Sequence, residues 1–450
     1  MEPASCGSRI GKSERKPKGC TPWALSGDLG LLKDWNQRWS TPRTANVLAV
    51  LVFVGTLAFL IAYMRVKGGL DAPPALGGDA VDYVQIATHL AAGDGFTRDG
   101  LTPAVDRPPL YPWLLSITFR SGVRFDLMRW GQAIVLALVT SLVARMLCRR
   151  IGPAPVVFVP LLLIADPRVR TMGAEILTEA LACGLVTLLW GTLSKWEKSP
   201  NYRYAIVAAG TLTLAILCRT MIVVWIPILA CVTWMNWGTF ATDKVRYLLV
   251  FYGLPLLLFL PWGYRNVAVL GEFYPLGTQG AEQAAASRSD EAFARRGMWY
   301  NLDETGFFDQ VSKDVSRPLA IRRAELSQAA ANAWTKQHPF KMLLLPPLRI
   351  FQEYRPHGPG DLFVLAFAAL GLVLVWRTPE GRVARGIVLA QTLTIGMTWS
   401  VAGRFLYPLL GILHYLAIIG LWGACSALIG DRQSVRAKLL LPDHQPEHES

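Results

Sequence analysis

Residues 45–63 read ANVLAVLVFVGTLAFLIAY, nineteen positions without a charged side chain. A bilayer's hydrocarbon core is crossed by ~20 apolar helical residues, so this stretch decides the fold class: it is a membrane span. It stands behind a long polar, basic leader, residues 1–44, which places it too far from the start to be a cleaved signal peptide. It therefore reads as an uncleaved anchor. Apolar runs recur downstream at about 130–147, 153–165, 174–193, 204–217, 220–237, 247–262, 361–376, 385–402 and 405–429. Together these make about ten spans, of which 153–165 and 204–217 are short for a straight crossing.

Composition points the same way. The 450 residues are 52% hydrophobic and 17% charged, with a mean hydropathy of +0.32, whereas water-soluble domains carry roughly a quarter charged residues. The expected fold class is an all-α polytopic membrane protein. Its single helical bundle covers 45–430, with a cytoplasmic tail at 431–450 and disorder expected in both leader and tail. The formal charge of +13 could suggest nucleic acid, but its placement excludes that partner. Arg149 and Arg150, then Lys195, Lys198 and Arg203, Lys244 and Arg246, Arg377, Arg382 and Arg385, and the tail with Arg432, Arg436 and Lys438 all fall on one side of the bundle. That is the positive-inside pattern of a multi-pass plasma (inner) membrane protein with both termini cytoplasmic. The two long polar segments, 65–129 and 263–340, then both fall on the periplasmic or extracellular side. None of the seven cysteines lies in these segments, and no metal-type Cys/His spacing appears.

The first outer segment holds the densest chemistry. Residues 77–113 read GGDAVDYVQIATHLAAGDGFTRDGLTPAVDRPPLYPW. A helix is expected from Asp79, its apolar face made by Val81, Val84, Ile86, Ala87 and Leu90, ending at Gly93-Asp94-Gly95. Asp79 is a good N-cap and Asp82 its capping-box partner. A carboxylate in this position is equally placed as a general base. Arg107 precedes paired prolines that stiffen the backbone, so a phosphate-gripping guanidinium competes with the reading of an interfacial cation. Glu175 and Glu179 in AEILTEAL are either helix-dipole partners or pocket carboxylates, and Glu179 lies deeper in the apolar run. Arg219, Arg265 and Arg404 fall at the outer ends of spans, against the basic-inside pattern. Beside Arg107 they suggest a shared anionic ligand. In the second outer segment Leu319, Leu326, Ala330 and Ala333 mark an amphipathic helix ending at His338-Pro339, and 340–351 is expected to dip into the interface. His89 and His414 belong to no cluster. There is no GxxxxGK[ST] loop, no GxGxxG after a strand, no HExxH and no Asp-x-Asp motif, which removes support for ATP-driven transport and for soluble nucleotide-sugar chemistry.

In sequence order, D-A-x-x-Y-x-x-x-A-x-x-L-x-x-G-x-G-F after the first span is followed by R-P-P-L-Y-P, ILTEAL, CRT, PWGYRNVAVLGEFYPLGTQG and GRFLYP. This succession resembles the membrane glycosyltransferases of the GT-C fold. It is similar in particular to bacterial relatives of the dolichyl-phosphate-mannose protein mannosyltransferases and the lipid A aminoarabinose transferase, from about Ala45 to Leu428. The resemblance implies Asp79 as catalytic base and Arg107, with Arg265, Arg404 and Arg219, at the donor phosphate. It implies Glu179 and Glu175 in the substrate pocket, and Asp82, Tyr83 and Tyr111 are further candidates to line it. The implied reaction is an inverting transfer of a sugar from a polyprenyl-phosphate donor to a lipid, protein or glycan acceptor hydroxyl at the outer face. No cofactor is implied, while a divalent metal beside Asp79 is compatible with the residues. Two departures stand out: Ala80 where many relatives have Glu, and TQGAEQAAASRSD where they are often Gly-Gly- and Asn-rich. The rival reading is a transporter or flippase for a lipid-linked or anionic substrate, although the internal repeat expected of one is not evident. A non-catalytic membrane subunit is the third reading.

Overall fold

The structure is a computed structural model that describes residues 41–74, 78–236, 241–311 and 316–428. The expected leader (apart from residues 41–44) and the tail lie outside the described residues. Helix α1 (Pro42–Lys67) opens on a Thr41 cap and ends at Gly68. In the first long connection, α2 (Asp79–Ala92) closes on left-handed Gly93 and α3 (Leu110–Phe119) follows the paired prolines. Helix α4 (Phe125–Ile151) returns along α1, and the short α5 (Phe158–Ala165) and α6 (Pro167–Ala174) lead into α7 (Glu179–Lys198). Then come α8 (Tyr202–Cys218), α9 (Trp225–Asn236) and α10 (Ala241–Leu270).

The second long connection carries α11 (Gln279–Ser287), α12 (Asp290–Ala294) and α13 (Leu319–Gln337). Helices α14 (Pro339–Tyr354), α15 (Pro359–Leu374), α16 (Pro379–Met397) and α17 (Leu410–Leu428) complete the chain. The helices expected from Asp79 and across 319–337 form where their periodicity places them. No strand is present among the described residues, only isolated bridges.

By length and composition, four helical segments are able to cross a membrane: Pro42–Lys67, Phe125–Ile151, Val245–Leu270 and Arg404–Leu428. Two bent pairs, α6 with α7 at 116° and α14 with α15 at 111°, raise that to six. The remaining runs among the expected ten are also helical, but most are short, such as the 17 residues of α8. The run at 340–351 is a full helix that meets α15 at the 111° bend and packs against α16.

Burial separates lipid-facing from central helices. Only 11% of the α10 window is buried inside the protein, with Leu256, Leu257 and Leu260 more than half exposed, against 83% for the last span. Exposed leucine in such rows is stable in hydrocarbon, not in water. At the centre, α15 and α17 cross at Gly371 and Gly420, where a Cβ would sit 1.9 Å from the Leu416 carbonyl oxygen and 2.0 Å from that of Phe367. Small residues let helix backbones touch in a membrane, where packing rather than water exclusion drives association.

Helix α7 fixes the polarity of the bundle. Its first residue, Glu179, lies at one end, while near its last residues Lys198 pairs with Glu380 at 2.7 Å and Glu197 with Arg382. Twenty helical residues separate these ends by roughly 30 Å. At the Glu179 end the two long connections dock on each other: Val105 packs with Leu270 and Ile321. Gly277, at φ +82°, passes so close that a Cβ would lie 1.8 Å from the Val105 carbonyl oxygen.

Candidate active site

Asp79 is the first residue of α2. Its N-cap is Gly78 at φ 65°, with no side-chain cap. The capping box read from the sequence is therefore absent, because arginines claim both carboxylates. Asp79 Oδ1 lies 2.8 Å from Arg107 Nη1, and Oδ2 lies 3.0 Å from Arg404 Nη1. Asp82, one turn on, accepts from Arg107 Nη2 at 2.5 Å and Nε at 3.0 Å, and from Arg98 Nε at 2.8 Å. Arg98 also grips Asp106 with both terminal nitrogens. On the other side, Arg404 Nε donates to Glu179 Oε1 at 2.5 Å, and Arg219 Nη1 reaches the same oxygen at 3.2 Å.

The result is an alternating ladder, Arg98–Asp82–Arg107–Asp79–Arg404–Glu179–Arg219, assembled from α2, the loop after it, the start of α7, the end of α8 and the turn before α17. The ladder's four guanidinium groups meet its three carboxylates and a fourth, Asp106, which is held by Arg98 and lies 3.7 Å from Arg107 Nε, so the charges balance. Burial pushes the Asp79 carboxyl up, but the Arg107 and Arg404 charges outweigh that and hold it below its ordinary 3.8. Tyr83, buried beside Arg107 with the guanidinium 5.8 Å from its ring centre, is pushed up by burial and by Asp79.

The ladder lies where two cavities meet. The larger, about 700 Å³, opens among the two long connections, and the smaller, about 370 Å³, runs between helix ends lined by Thr220, Met221, Val223, Val224, Trp399 and Phe405. Both share Asp79, Arg107, Gln279, Gln283, Trp299 and Arg404. Turned to satisfy both ends, the Gln279 amide accepts from Arg107 Nη1 at 2.9 Å and donates to the Asp106 carbonyl at 3.2 Å. A ligand whose charged group sits at the ladder can thus extend either way.

The structure brings together most of the residues singled out in the sequence, but not all. Asp79, Asp82, Tyr83, Arg107, Arg219 and Arg404 line one cavity or both. Glu179 stands behind them, 1% exposed, as the carboxylate that aims Arg404 and Arg219. Arg265 is not brought to the ladder. Its guanidinium donates to the Ala104 carbonyl at 2.6 Å and the Phe96 carbonyl at 3.2 Å, and it packs over Trp262 and Phe96, tying the first connection to α10. Tyr111 points into the core, donating to Gln132 Oε1 at 2.6 Å. Glu175 ends α6 and lines neither cavity. His89 and His414 pair with Asp94 and Asp166 at 2.8 and 2.9 Å, away from the ladder. Among the described residues no group of three or more His, Cys, Asp or Glu side chains is placed to hold a metal ion.

Glu353 was not anticipated. This 1%-exposed carboxylate of α14 accepts from Ser400 Oγ at 2.7 Å, Val401 N at 2.9 Å and Phe405 N at 2.5 Å. It thereby clamps the loop that presents Arg404, in which Ala402 and Gly403 both take positive φ. A carboxylate inside an apolar helix was its only signal, and nothing local tied it to a site.

No protein-family model matches this chain, and no curated protein matches it significantly. Solved structures do. The oligosaccharyltransferase AglB of Archaeoglobus fulgidus, in complex with an inhibitory peptide and a dolichol-phosphate, aligns at a TM-score of 0.50 and 13% identity over 86% of this chain and 52% of that one. ArnT from Cupriavidus metallidurans bound to undecaprenyl phosphate aligns at 0.42 and 15% identity over 85% of this chain and 79% of that one. The chain therefore spans about half the length of the archaeal protein it matches. At this identity the likeness is one of fold. The chain has the all-helical GT-C architecture, as its sequence implied.

Proposed function

We propose that this GT-C protein transfers a sugar from a polyprenyl-phosphate donor to an acceptor hydroxyl, with the phosphate bound by Arg107, Arg404 and Arg219 and Asp79 as the base. One observation carries this reading: Asp79 is held between two guanidinium groups at the junction of a polar cavity and a cavity walled by apolar helix ends. The smaller cavity accommodates the prenyl phosphate from the bilayer, and the larger receives the acceptor. The separation of the ladder from the Lys198/Arg382 end by the length of α7 supports an active site on the face opposite the basic loops, hence the outer face.

Both Asp79 oxygens are engaged by arginines, so neither is free for an acceptor. An arriving phosphate competes for Arg107 and Arg404, which keep Asp82 and Glu179 as second partners, and Asp79 is released toward the acceptor cavity. The acceptor oxygen then attacks the anomeric carbon as its proton passes to Asp79. The bond from that carbon to the phosphate oxygen breaks, and the electron pair leaves on the phosphate, where the arginines stabilise it. The displacement inverts the anomeric centre. No nucleotide or redox partner enters the balance.

Asp79→Asn tests this. It keeps a side chain of the same shape without the basic carboxylate, and a general base contributes about 10²–10⁴ in rate. Loss of sugar transfer at normal membrane abundance, with the prenyl-phosphate sugar accumulating in extracted lipids, is the expected result. Unchanged transfer overturns the assignment. Comparing envelope glycolipids and glycoproteins with and without the gene by mass spectrometry identifies the sugar and the acceptor.

A further inference from the structure

The proposed reaction uses the ladder and leaves most of the larger cavity's lining without a role. Apart from residues shared with the smaller cavity, its charged lining is Asp82, Asp99, Asp106, Glu282 and Asp303 against Arg98 and Arg323. Both arginines are already committed. Arg98 lies between Asp82 and Asp106, and Arg323 lies between Glu282 at 3.2 Å and Asp303 at 2.8 Å, with its guanidinium 3.7 Å from the Phe308 ring centre. Even if Glu282, whose carboxyl burial pushes up, is counted as protonated, four carboxylates face two paired cations. The smaller cavity is the opposite: apart from the shared residues, its one charged lining residue among those described is Arg219. The ladder therefore divides a cationic side from an anionic side.

Ionised carboxylates accept hydrogen bonds and donate none, so the occupant of the larger cavity has to supply donors and avoid negative charge. A second observation does not depend on charge. The hydroxyl of Thr278, a residue 1% exposed on the cavity wall, has no hydrogen-bond partner among the described residues, and a buried polar group left unpaired calls for an explanation such as a ligand. Trp299 and Asn301 on the same wall add an aromatic face and an amide, the mixture of apolar surface and a few placed polar groups that orients small ligands.

Resting on the reading above, we infer that the acceptor is a hydroxyl-rich sugar without phosphate, held in the larger cavity by Asp303, Glu282 and Thr278 and rejected there if phosphorylated. The test uses the full-length protein in lipid nanodiscs at fixed ionic strength, titrated with cellotriose, with the amine-bearing chitosan trimer, and with cellotriose 6-phosphate. Undecaprenyl phosphate is titrated as a separate probe of the other cavity. At least one of the two phosphate-free trimers is expected to bind about tenfold tighter than the phosphorylated one, and which of them binds better distinguishes a neutral from an amino sugar.

The double variant Glu282→Gln, Asp303→Asn frees Arg323 and is expected to narrow or invert that preference while undecaprenyl phosphate binds as before. Thr278→Ala is expected to weaken only the phosphate-free probes. Equal or tighter binding of the phosphorylated trimer, an unchanged preference in the double variant, or no binding by any trimer overturns the inference. Trimer binding without binding of undecaprenyl phosphate instead refutes the donor assignment and leaves the cavity assignment standing.

Discussion

Asp79 and its two guanidinium partners decide how the site titrates. Burial opposes ionisation of the carboxyl, yet Arg107 and Arg404 prevail and set its pKa below 3.8. A depressed folded-state value means that the ion pairs contribute fully to stability above 3.8 and lose that contribution only as pH falls through the lower value. The pH profile of kcat/KM, which reports groups of the free enzyme, is therefore expected to show no acid limb from Asp79 above 3.8. Arg404→Gln removes one cation and should move that limb upward. A pH–rate series on both proteins checks this, and a limb that stays put would disconnect Asp79 from turnover. Glu179→Gln is expected to act differently. It leaves Arg404 and Arg219 without their shared carboxylate, and breaking a buried pair costs about 3–5 kcal/mol, visible as a lowered denaturation midpoint in detergent together with weaker donor binding. Six of the ladder's seven members were legible in the sequence: Glu179, Arg219 and Arg404 as charges in or beside apolar runs, Asp79 and Asp82 at a helix start, and Arg107 before paired prolines, while Arg98 in its polar loop was missed. Arg265 met the same criterion as Arg219 and Arg404, but the carbonyls of Phe96 and Ala104 consume it, and no local pattern distinguishes those two fates. Thr278 and Gln279 lay inside a quoted motif but, like Trp299, are uncharged and were not singled out as site residues.

At the level of elements, the loop between α16 and α17 depends on α14. Glu353→Ala leaves the Ser400 hydroxyl and the Val401 and Phe405 amides without their acceptor, whereas Glu353→Gln keeps one carbonyl oxygen for them. Misplacing a catalytic group by about 1 Å costs on the order of a hundredfold. The alanine variant is therefore expected to lose roughly that much kcat/KM for the lipid donor, and the glutamine variant to recover most of it. A merely structural role would lower thermal stability in both without this graded kinetic response. The docking of the two long connections has its own test in Gly277→Ala. That change sets a Cβ against the Val105 carbonyl at a positive φ and is expected to destabilise the fold by roughly 1–3 kcal/mol, read as a lower unfolding midpoint. The helices themselves were legible from periodicity and stop signals. Their mutual docking was not, since Glu353 and Val105 meet partners about fifty and more than 170 residues away.

Across the whole molecule, helix type and apolar runs were readable from the sequence and path length was not. Two neighbouring pairs, α6/α7 and α14/α15, bend by 116° and 111°: the run read from 174 enters its long helix only at Glu179, and the runs at 340–351 and 361–376, read apart, meet at a break that holds Pro356. The lipid-facing assignment of α10 is checked by Leu257→Arg, which places a charge on a bare apolar helix. An insertion cost of about 2.5–3.5 kcal/mol at a span centre should appear as reduced abundance in membrane fractions, and normal abundance would mean that this face of α10 is not in lipid.

The alternating ladder has one more consequence, for the small anions around the protein. Each guanidinium of the ladder is already matched by an internal carboxylate, so an incoming anion has to dislodge a resident one. Inorganic phosphate brings only its charge to that exchange. A polyprenyl phosphate also brings its hydrocarbon, at roughly 0.8 kcal/mol for each methylene buried. The resident carboxylates thus act as a threshold that excludes soluble competitors and admits the anchored donor, with no gate that has to open or close.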